Sequence, residues 1–484
     1  MPICAAFAVP HPPLIVPGVG HGREAGIQAT VDAYREVARR VAEIAPDTIV
    51  LSSPHSTSYL DCLHISGGSG AAGTFAPFGD RADGSRVAYD RELVDALCEA
   101  ADACGLAAGT AGERDPELDW GVLVPLHFIQ EEYARRRDAG DDLPTYRLVR
   151  IGLSGLSPRD HYRLGQLVQR VSDTLGRRCV FVASGDLSHK LAEDGPYGYA
   201  PDGPAFDELV CHALEEGDFL ALMTADRGMC ERAAECGLRS FQIMAGALDR
   251  TPIRSELLSY EGPFGVGYGI AAFTPTGAHG SDASRAIGDR YEAWHAADMA
   301  RRRHAESPWV QLARYSLESY VRDGRRIDPN RDLPTDLAEA LPDELFSTRA
   351  GAFVSLKMNG QLRGCIGTIL PVRDSLAEEI CANAISAGCR DPRFSSVEED
   401  ELAELVYDVD VLSEPEAIAG PDELDPARYG VIVSASRGRR GLLLPDLDGI
   451  DTVAEQIGIA ARKGGIDPDD PSITLERFTV TRHV

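Results

Sequence analysis

Three short apolar segments in the first half of the sequence place the strongest limit on its fold. They are residues 3–9, 48–53 and 179–183, and the histidines that follow them are His11, His55 and His189. Segments of this length and composition are typical of buried strands, and the spacing of apolar residues over 27–45 indicates an amphipathic helix between two of them. Buried strands that alternate with helices predict an α/β N-terminal domain with a mostly buried central sheet.

The positions of these histidines also indicate a site. In open α/β sheets, ligands bind beyond the carboxyl ends of the strands, where all three histidines are expected. A single histidine in such a loop would be an ordinary polar capping residue, but the set of three favours a metal site. His11 and His55 are the candidate ligands, and a third ligand of Asp or Glu would complete a two-histidine, one-carboxylate triad with open positions.

Composition excludes several function classes. The 484 residues carry a formal charge of −28, which opposes binding to nucleic acid or to anionic membrane surfaces. Eleven cysteines without a CxxC pair argue against a secreted disulfide framework, a zinc ribbon and an iron–sulfur loop. We recognise neither a signal peptide nor an apolar stretch of about 20 residues, so a cytoplasmic location is expected. The sequence leaves the oligomeric state open.

The chain divides into two predicted domains joined by a polar, turn-rich segment. We expect an N-terminal domain over 1–275, a linker over 276–306 and a second domain over 307–484. Strand-like segments at 352–358, 365–370 and 405–412 and a helix-like segment at 374–386 predict an α+β fold for the second domain.

Four motifs in the first half resemble the catalytic subunit of class III extradiol ring-cleavage dioxygenases, over residues 1 to about 275. They are Pro10–Leu14, Ser53–Ser56, Ser184–His189 and Glu235–Arg239. The resemblance implies Fe(II) bound by His11, His55 and Glu235, with zinc or manganese as alternative metals. It implies His189 as the catalytic acid/base. The implied activity is oxidation of a small catechol-like or aminophenol-like aromatic by dioxygen, in aromatic compound metabolism.

Two features keep other functions open. Cys236-Gly237 also resembles the Cys-Gly-Arg segment of the Memo proteins, which share this fold, so Cys236 is the alternative third ligand. Ring-cleaving members carry Asp-His-Gly-Thr before a Val-Pro-Leu segment, whereas this chain has Trp120 in place of that catalytic histidine, and His127 follows seven residues later. A Memo-like metal-binding protein with another reaction, or with none, is therefore the alternative.

The second half resembles the AMMECR1 domain over about 305–484. The motifs are Gln361–Gly367, Ser307–Arg314 and Cys389–Phe394. Gly364 and Gly367 are expected to permit tight backbone turns around Arg363 and Cys365, the candidate site of this half. Together the halves resemble the A and B components of the AmmeMemoRadiSam group, which implies a separate radical S-adenosylmethionine protein as partner.

Overall fold

The computed structural model describes residues 2–112, 116–447, 449–468 and 472–484. Two compact units are present, Met1–His295 and Ala296–Val484, and the division between them falls within a helix of the stretch 276–306. Among the described residues, no helix has the length and apolar content needed to cross a membrane.

The N-terminal unit contains a six-stranded sheet and two small two-stranded sheets. Its strands are β1 (Ile3–Val9), β2 (Thr48–Ser53), β3 (Leu63–His64), β4 (Gly70–Thr74), β5 (Gly84–Ala88), β6 (Ala108–Gly109), β7 (Arg147–Gly152), β8 (Cys179–Ser184), β9 (Ile253–Glu261) and β10 (Tyr268–Pro275). Its helices are α1 (Pro17–Gly20), α2 (Gln28–Ile44), α3 (Arg91–Ala103), α4 (Trp120–Asp138), α5 (Pro158–Thr174), α6 (Asp202–Glu216), α7 (Phe219–Met223), α8 (Arg227–Ala233) and α9 (Leu238–Ala247), followed by α10 (Ile287–Ala305), which reaches into the second unit.

The large sheet has the order β7-β2-β8-β1-β10-β9. Its first four strands are parallel, and the β9–β10 hairpin adds antiparallel to β1. Side chains of β1 alternate between two cores, with Ala6 and Ala8 in one and Phe7 and Val9 in the other. Helices cover both faces, which is why the strands are apolar throughout and not alternating. This agrees with the α/β expectation.

The carboxyl ends of β1, β2 and β8 meet at one edge of this sheet because the three strands are parallel neighbours. The chain leaves β1 and β2 through proline-containing turns that carry His11 and His55, and it leaves β8 through Gly185-Asp186. The order of the strands therefore brings distant segments of the sequence to one place.

The second unit is α+β, with two four-stranded sheets in which all described strand pairs are antiparallel. Its helices are α11 (Pro308–Asp323), α12 (Thr335–Ala340), α13 (Glu344–Ser347), α14 (Leu376–Cys389) and α15 (Val453–Lys463). Its strands are β11 (Ala352–Met358), β12 (Gln361–Gly367), β13 (Leu405–Leu412), β14 (Glu416–Ile418), β15 (Gly430–Ala435), β16 (Arg439–Leu443), β17 (Thr474–Phe478) and β18 (Val480–His483).

The turn expected at the AMMECR1-like motif lies earlier than the sequence analysis placed it. Asn359 and Gly360 both have positive φ and connect β11 to β12 as a two-residue hairpin turn. Gly364 and Gly367 lie within β12, and neither has positive φ. Gly364 is required for another reason, because a Cβ there would lie 2.1 Å from the carbonyl oxygen of Ala387 in α14.

Candidate metal centre

His11, His55 and Cys236 form the one cluster of potential metal-ligating side chains found among the described residues. The Nε2 atoms of His11 and His55 are 3.0 Å apart, and the Cys236 Sγ lies 3.7 Å from the His11 Nε2. Two nitrogen ligands at about 2.1 Å from one metal ion lie about 3.0–3.4 Å apart, and a thiolate lies slightly farther from each. The three donors therefore fit a single metal ion.

His11 is held by one contact of its imidazole and one contact of its backbone. It is buried, its Nδ1 lies 3.0 Å from the Ser184 hydroxyl at the end of β8, and its backbone N–H donates to the Asp186 carboxylate over 2.7 Å. An Nδ1–H that donates to Ser184 leaves the Nε2 lone pair directed at His55 and Cys236, which is how metal-bound histidines are commonly fixed.

Burial keeps both histidines neutral. It lowers the pKa of His11 to about 3 and that of His55 to about 4, and the proximity of the two rings lowers the pKa of His55 further. The neutral imidazole is the form that binds a metal ion. Burial also raises the pKa of the Cys236 thiol, as do the nearby carboxylates of Asp186 and Glu235, so a bound cation would be needed to hold the thiolate.

Cys236 reaches the histidines through a close contact between two glycines. A Cβ on Gly185 would lie 2.1 Å from the Cα of Gly237, so only glycine lets the end of β8 approach the segment before α9 this closely. The backbone N–H of Asp186 then donates to the Cys236 Sγ over 3.3 Å. Ala234, with φ of 53°, turns the chain from α8 into this segment.

Glu235, which the sequence analysis favoured as the third ligand, has a different position. Its carboxylate accepts a hydrogen bond of 2.7 Å from the backbone N–H of Leu238, the first residue of α9. Unpaired N–H groups at a helix N-terminus attract a carboxylate. The structure therefore brings the alternative ligand Cys236, and not Glu235, to the two histidines.

His189 lies at the same edge of the sheet and is oriented as a proton acceptor. Its Nδ1 is 2.7 Å from the carbonyl oxygen of Ala234, which accepts a hydrogen bond from Nδ1–H, so Nε2 is the acceptor nitrogen of the neutral tautomer. That Nε2 lies 3.9 Å from the Asp186 Oδ2, and the His11 Nε2 is also 3.9 Å from the same oxygen. Asp186, whose pKa burial raises to about 6, thus stands between the candidate ligand and the candidate base.

Trp120 lies against the candidate centre, and His127 does not replace the missing histidine. The Trp120 ring stacks on His55 with centroids 3.9 Å apart and an interplanar angle of 28°. His127 lies farther along α4, where its Nδ1 is 2.6 Å from the Asp83 carboxylate. The position beside His55 is therefore occupied by an aromatic ring that carries no titratable proton.

The candidate residues of the second unit are already paired. Arg363 donates to the Glu401 carboxylate through Nε and Nη2, and Arg393 donates to Asp391 in the same bidentate manner. The Ser355 hydroxyl donates to the Cys365 Sγ over 3.2 Å. The arginine charges are thus neutralised by carboxylates.

Sequence reasoning missed Asp186 and Asp119, which lie beside the centre. Asp186 precedes His189 by three residues within the Ser184–His189 motif, and Asp119 immediately precedes Trp120. Polar residues directly after a buried strand were the available signal for Asp186. For Asp119, the signal was Arg150, a charged residue between the apolar Val149 and Ile151 of β7, since a buried charge requires a partner.

Comparisons with known proteins identify both parts of the chain. Residues 5–271 match the family described as the catalytic LigB subunit of aromatic ring-opening dioxygenase, and residues 310–483 match the AMMECR1 family. A protein of Clostridium acetobutylicum is 38% identical over 99% of this chain and 98% of its own length. A Thermotoga maritima protein is 51% identical over 37% of this chain and 98% of its own length.

Two solved structures of uncharacterized proteins are also similar. One, from Pyrococcus horikoshii, has 34% identity, a TM-score of 0.32 and coverage of 36% of this chain and 88% of its own. The other, from Escherichia coli K12, has 16% identity, a TM-score of 0.37 and coverage of 56% of this chain and 99% of its own. From the family matches and the full-length relative, the chain belongs to the LigB family of class III extradiol dioxygenase and Memo-like proteins, and it carries a C-terminal AMMECR1 domain.

Proposed function

We propose that the N-terminal unit is a Memo-type metal enzyme with one metal ion held by His11, His55 and Cys236. The observation that carries the proposal is the 3.7 Å approach of the Cys236 Sγ to a histidine pair whose Nε2 atoms are 3.0 Å apart. Two imidazoles and a thiolate suit Fe(II) or zinc, whereas manganese prefers oxygen ligands. When bound, the metal ion supplies an open coordination position and Lewis acidity to a small substrate.

The residues around the centre support proton transfer from that substrate. In the neutral tautomer, Nε2 of His189 can accept a proton from a hydroxyl or amino group bound at the centre. The Asp186 carboxylate, 3.9 Å from that nitrogen, stabilises the imidazolium that forms. Trp120, stacked on His55, covers that side of the centre with an apolar ring and shields it from water.

A catechol-type extradiol dioxygenase is the second candidate function, and the LigB match over 5–271 favours it. In that reaction the ring carbon–carbon bond beside a diol breaks, and both oxygen atoms of dioxygen enter the product. His189 would take the proton from one diol hydroxyl. We rank this function second for two reasons. Trp120 stands in place of a second proton carrier, and a thiol stands in place of a carboxylate ligand.

The ligand assignment is tested by metal analysis of protein purified without oxygen. We expect about one metal ion per chain in the unsubstituted protein and loss of stoichiometric binding in His11→Ala, His55→Ala and Cys236→Ser. Glu235→Gln is the matched control, because a glutamine oxygen can still accept the Leu238 N–H bond, and it should retain the metal. The opposite result, with metal lost in Glu235→Gln and retained in Cys236→Ser, would restore the two-histidine, one-carboxylate assignment.

Oxygen uptake separates the two functions. Fe(II)-loaded protein that consumes dioxygen with catechols or aminophenols and forms yellow ring-opened product is a dioxygenase. Full metal occupancy without uptake on any of these compounds favours the Memo-type function. The requirement for a separate radical S-adenosylmethionine partner stays a prediction.

A further inference from the structure

The nearly buried carboxylate of Asp119 contacts both sides of the loop that carries His55. Asp119 accepts a hydrogen bond of 2.6 Å from the Ser53 hydroxyl and another of 2.6 Å from the Ser56 hydroxyl. These serines flank His55 in the sequence, and the backbone N–H of His55 itself donates to the Ser53 Oγ over 3.2 Å. One carboxylate therefore closes the short loop that carries the candidate ligand.

The same residue also fixes the ring that packs on His55. Asp119 is the N-cap of α4 and accepts a hydrogen bond of 3.2 Å from the backbone N–H of Val122. Trp120 is the first residue of α4, so the cap determines where the indole lies against the His55 ring. Both the backbone and the ring contacts of His55 thus depend on Asp119.

The charge of Asp119 is balanced from within the sheet. Arg150 on β7 has no exposed side-chain surface, and its Nη1 lies 3.9 Å from the Asp119 Oδ2. The guanidinium also donates to the Ser66 hydroxyl over 2.7 Å and to the carbonyl oxygen of Glu117 over 2.6 Å. Such a buried arginine is tolerated because its hydrogen bonds and an opposite charge compensate its lost hydration.

A glycine makes room for the contact. A Cβ on Gly121 would lie 2.2 Å from the Ser53 Oγ and 3.0 Å from the Asp119 Oδ1. The second residue of α4 must therefore lack a side chain for the serine to reach the carboxylate.

We propose that Asp119, held by Arg150, is the positioning residue that sets His55 in its ligating orientation before a metal ion binds. The proposal rests on the metal centre proposed above. Without the two serine bonds, the loop would have to order itself when the metal ion binds, and that ordering would weaken binding. Asp119 acts through His55 and does not itself contact the ion or the substrate.

Anaerobic titration with Co(II), whose visible absorption reports ligand geometry, tests this role in the full chain. Asp119→Asn should weaken Co(II) binding by about 10–100-fold, as loss of a ligand-orienting partner typically does, and should change the visible spectrum. Ser56→Ala, which keeps the Asp119 carboxylate and Arg150, should also weaken Co(II) binding, but by less than Asp119→Asn does.

Asp90→Asn is the matched control. Asp90 is also a buried N-cap, of α3, which accepts bonds from the Thr48 hydroxyl and the Leu93 N–H and pairs with Arg177. Thr48 begins β2, so this network lies at the opposite end of the strand from Ser53. Asp90→Asn should lower thermal stability as Asp119→Asn does, but it should leave Co(II) affinity and spectrum unchanged.

The outcomes separate the two proposals. A folded Asp119→Asn protein with the affinity and spectrum of the unsubstituted protein would overturn the positioning role. If that variant does not fold, the double variant Ser53→Ala, Ser56→Ala is used instead. Co(II) affinity and a spectrum equal to those of the unsubstituted protein would then overturn the positioning role. Failure of the unsubstituted protein to bind one Co(II), or equal binding by Cys236→Ser, would instead overturn the proposed metal centre.

Discussion

At the scale of single residues, the side chain beside His55 determines which chemistry the candidate centre can support. Trp120 contributes a flat apolar surface there, and His189 is the one described histidine at this site that the candidate ligand set leaves for proton transfer. Phe78 packs edge-on against the same indole. The surroundings of the centre are therefore aromatic on the Trp120 side and polar on the side of His189 and Asp186.

Substitutions that remove or add a proton-transferring side chain, at His189 and Trp120, should alter turnover without removing the metal. General acid–base groups contribute about 10²–10⁴-fold, so His189→Gln should keep the metal ion and lower turnover by that factor. Under the second candidate function, the catechol-type dioxygenase, Trp120→His should raise oxygen consumption with simple catechols, because it restores a proton carrier beside His55; the Memo-type function predicts no uptake by either protein. Oxygen-electrode assays of the Fe(II)-loaded proteins measure both effects. Turnover that is unaffected by His189→Gln would remove that residue from the mechanism.

At the scale of elements, the contact between α5 and α9 positions the segment that carries Cys236. Gly165 of α5 and Gly246 of α9 face each other's backbones, and a Cβ on either would lie 1.9 Å from a carbonyl oxygen of the other helix. The contact brings α9 against the sheet, and the segment that carries Cys236 leads directly into α9. Helix packing thus fixes one of the three candidate ligands.

Gly246→Ala should destabilise the N-terminal unit. The added methyl group meets rigid backbone, so the helices must separate, and overpacking of this kind typically costs about 1–3 kcal/mol. Urea denaturation followed by circular dichroism measures the loss. Gly109→Ala is the control, since its Cβ would meet only the Cys98 Sγ at 4.0 Å. Equal stability of the Gly246→Ala and unsubstituted proteins would show that the helices are farther apart.

At the scale of the whole molecule, the chain consists of two units with separate cores, and a relative of the same length matches both. The predicted linker 276–306 is not uniform. Residues 276–285 form largely exposed turns, whereas α10 spans Ile287–Ala305 and buries Ile287 and Tyr291. The domain limits 1–275 and 307–484 stay predictions.

Limited proteolysis tests those limits. Exposed turns admit a protease more readily than a packed helix, so the first cut by subtilisin should fall within 276–285. Mass spectrometry locates the cut, and circular dichroism of the separated fragments measures their folding. The N-terminal fragment should retain Co(II) binding, because every proposed ligand precedes residue 275. A first cut within residues 1–275 or 307–484 would argue against independently stable domains.

The sequence by itself determined the elements and the two histidines. Apolar runs and helical spacing predicted β1, β2, β8 and α2 closely, because strand and helix patterns reflect local periodicity and burial on both faces of a sheet. The resemblance of motifs identified the LigB and AMMECR1 parts, which the comparisons confirm. Placing His11 and His55 after parallel strands predicted that they would lie close together, as they do.

Only the tertiary structure decided between Glu235 and Cys236. The two are neighbours in the sequence, so no pattern of spacing separates them. The preference of Fe(II) for a carboxylate favoured Glu235, whereas the structure places the Cys236 thiol beside the histidines. Their side chains diverge because the N-terminus of α9 binds the Glu235 carboxylate, while the Gly185–Gly237 contact brings the Cys236 thiol to His11. The Gly185–Gly237 contact joins segments about 50 residues apart, so it depends on the tertiary fold. The Glu235 bond depends on where α9 begins, and helix ends are poorly defined by the local sequence.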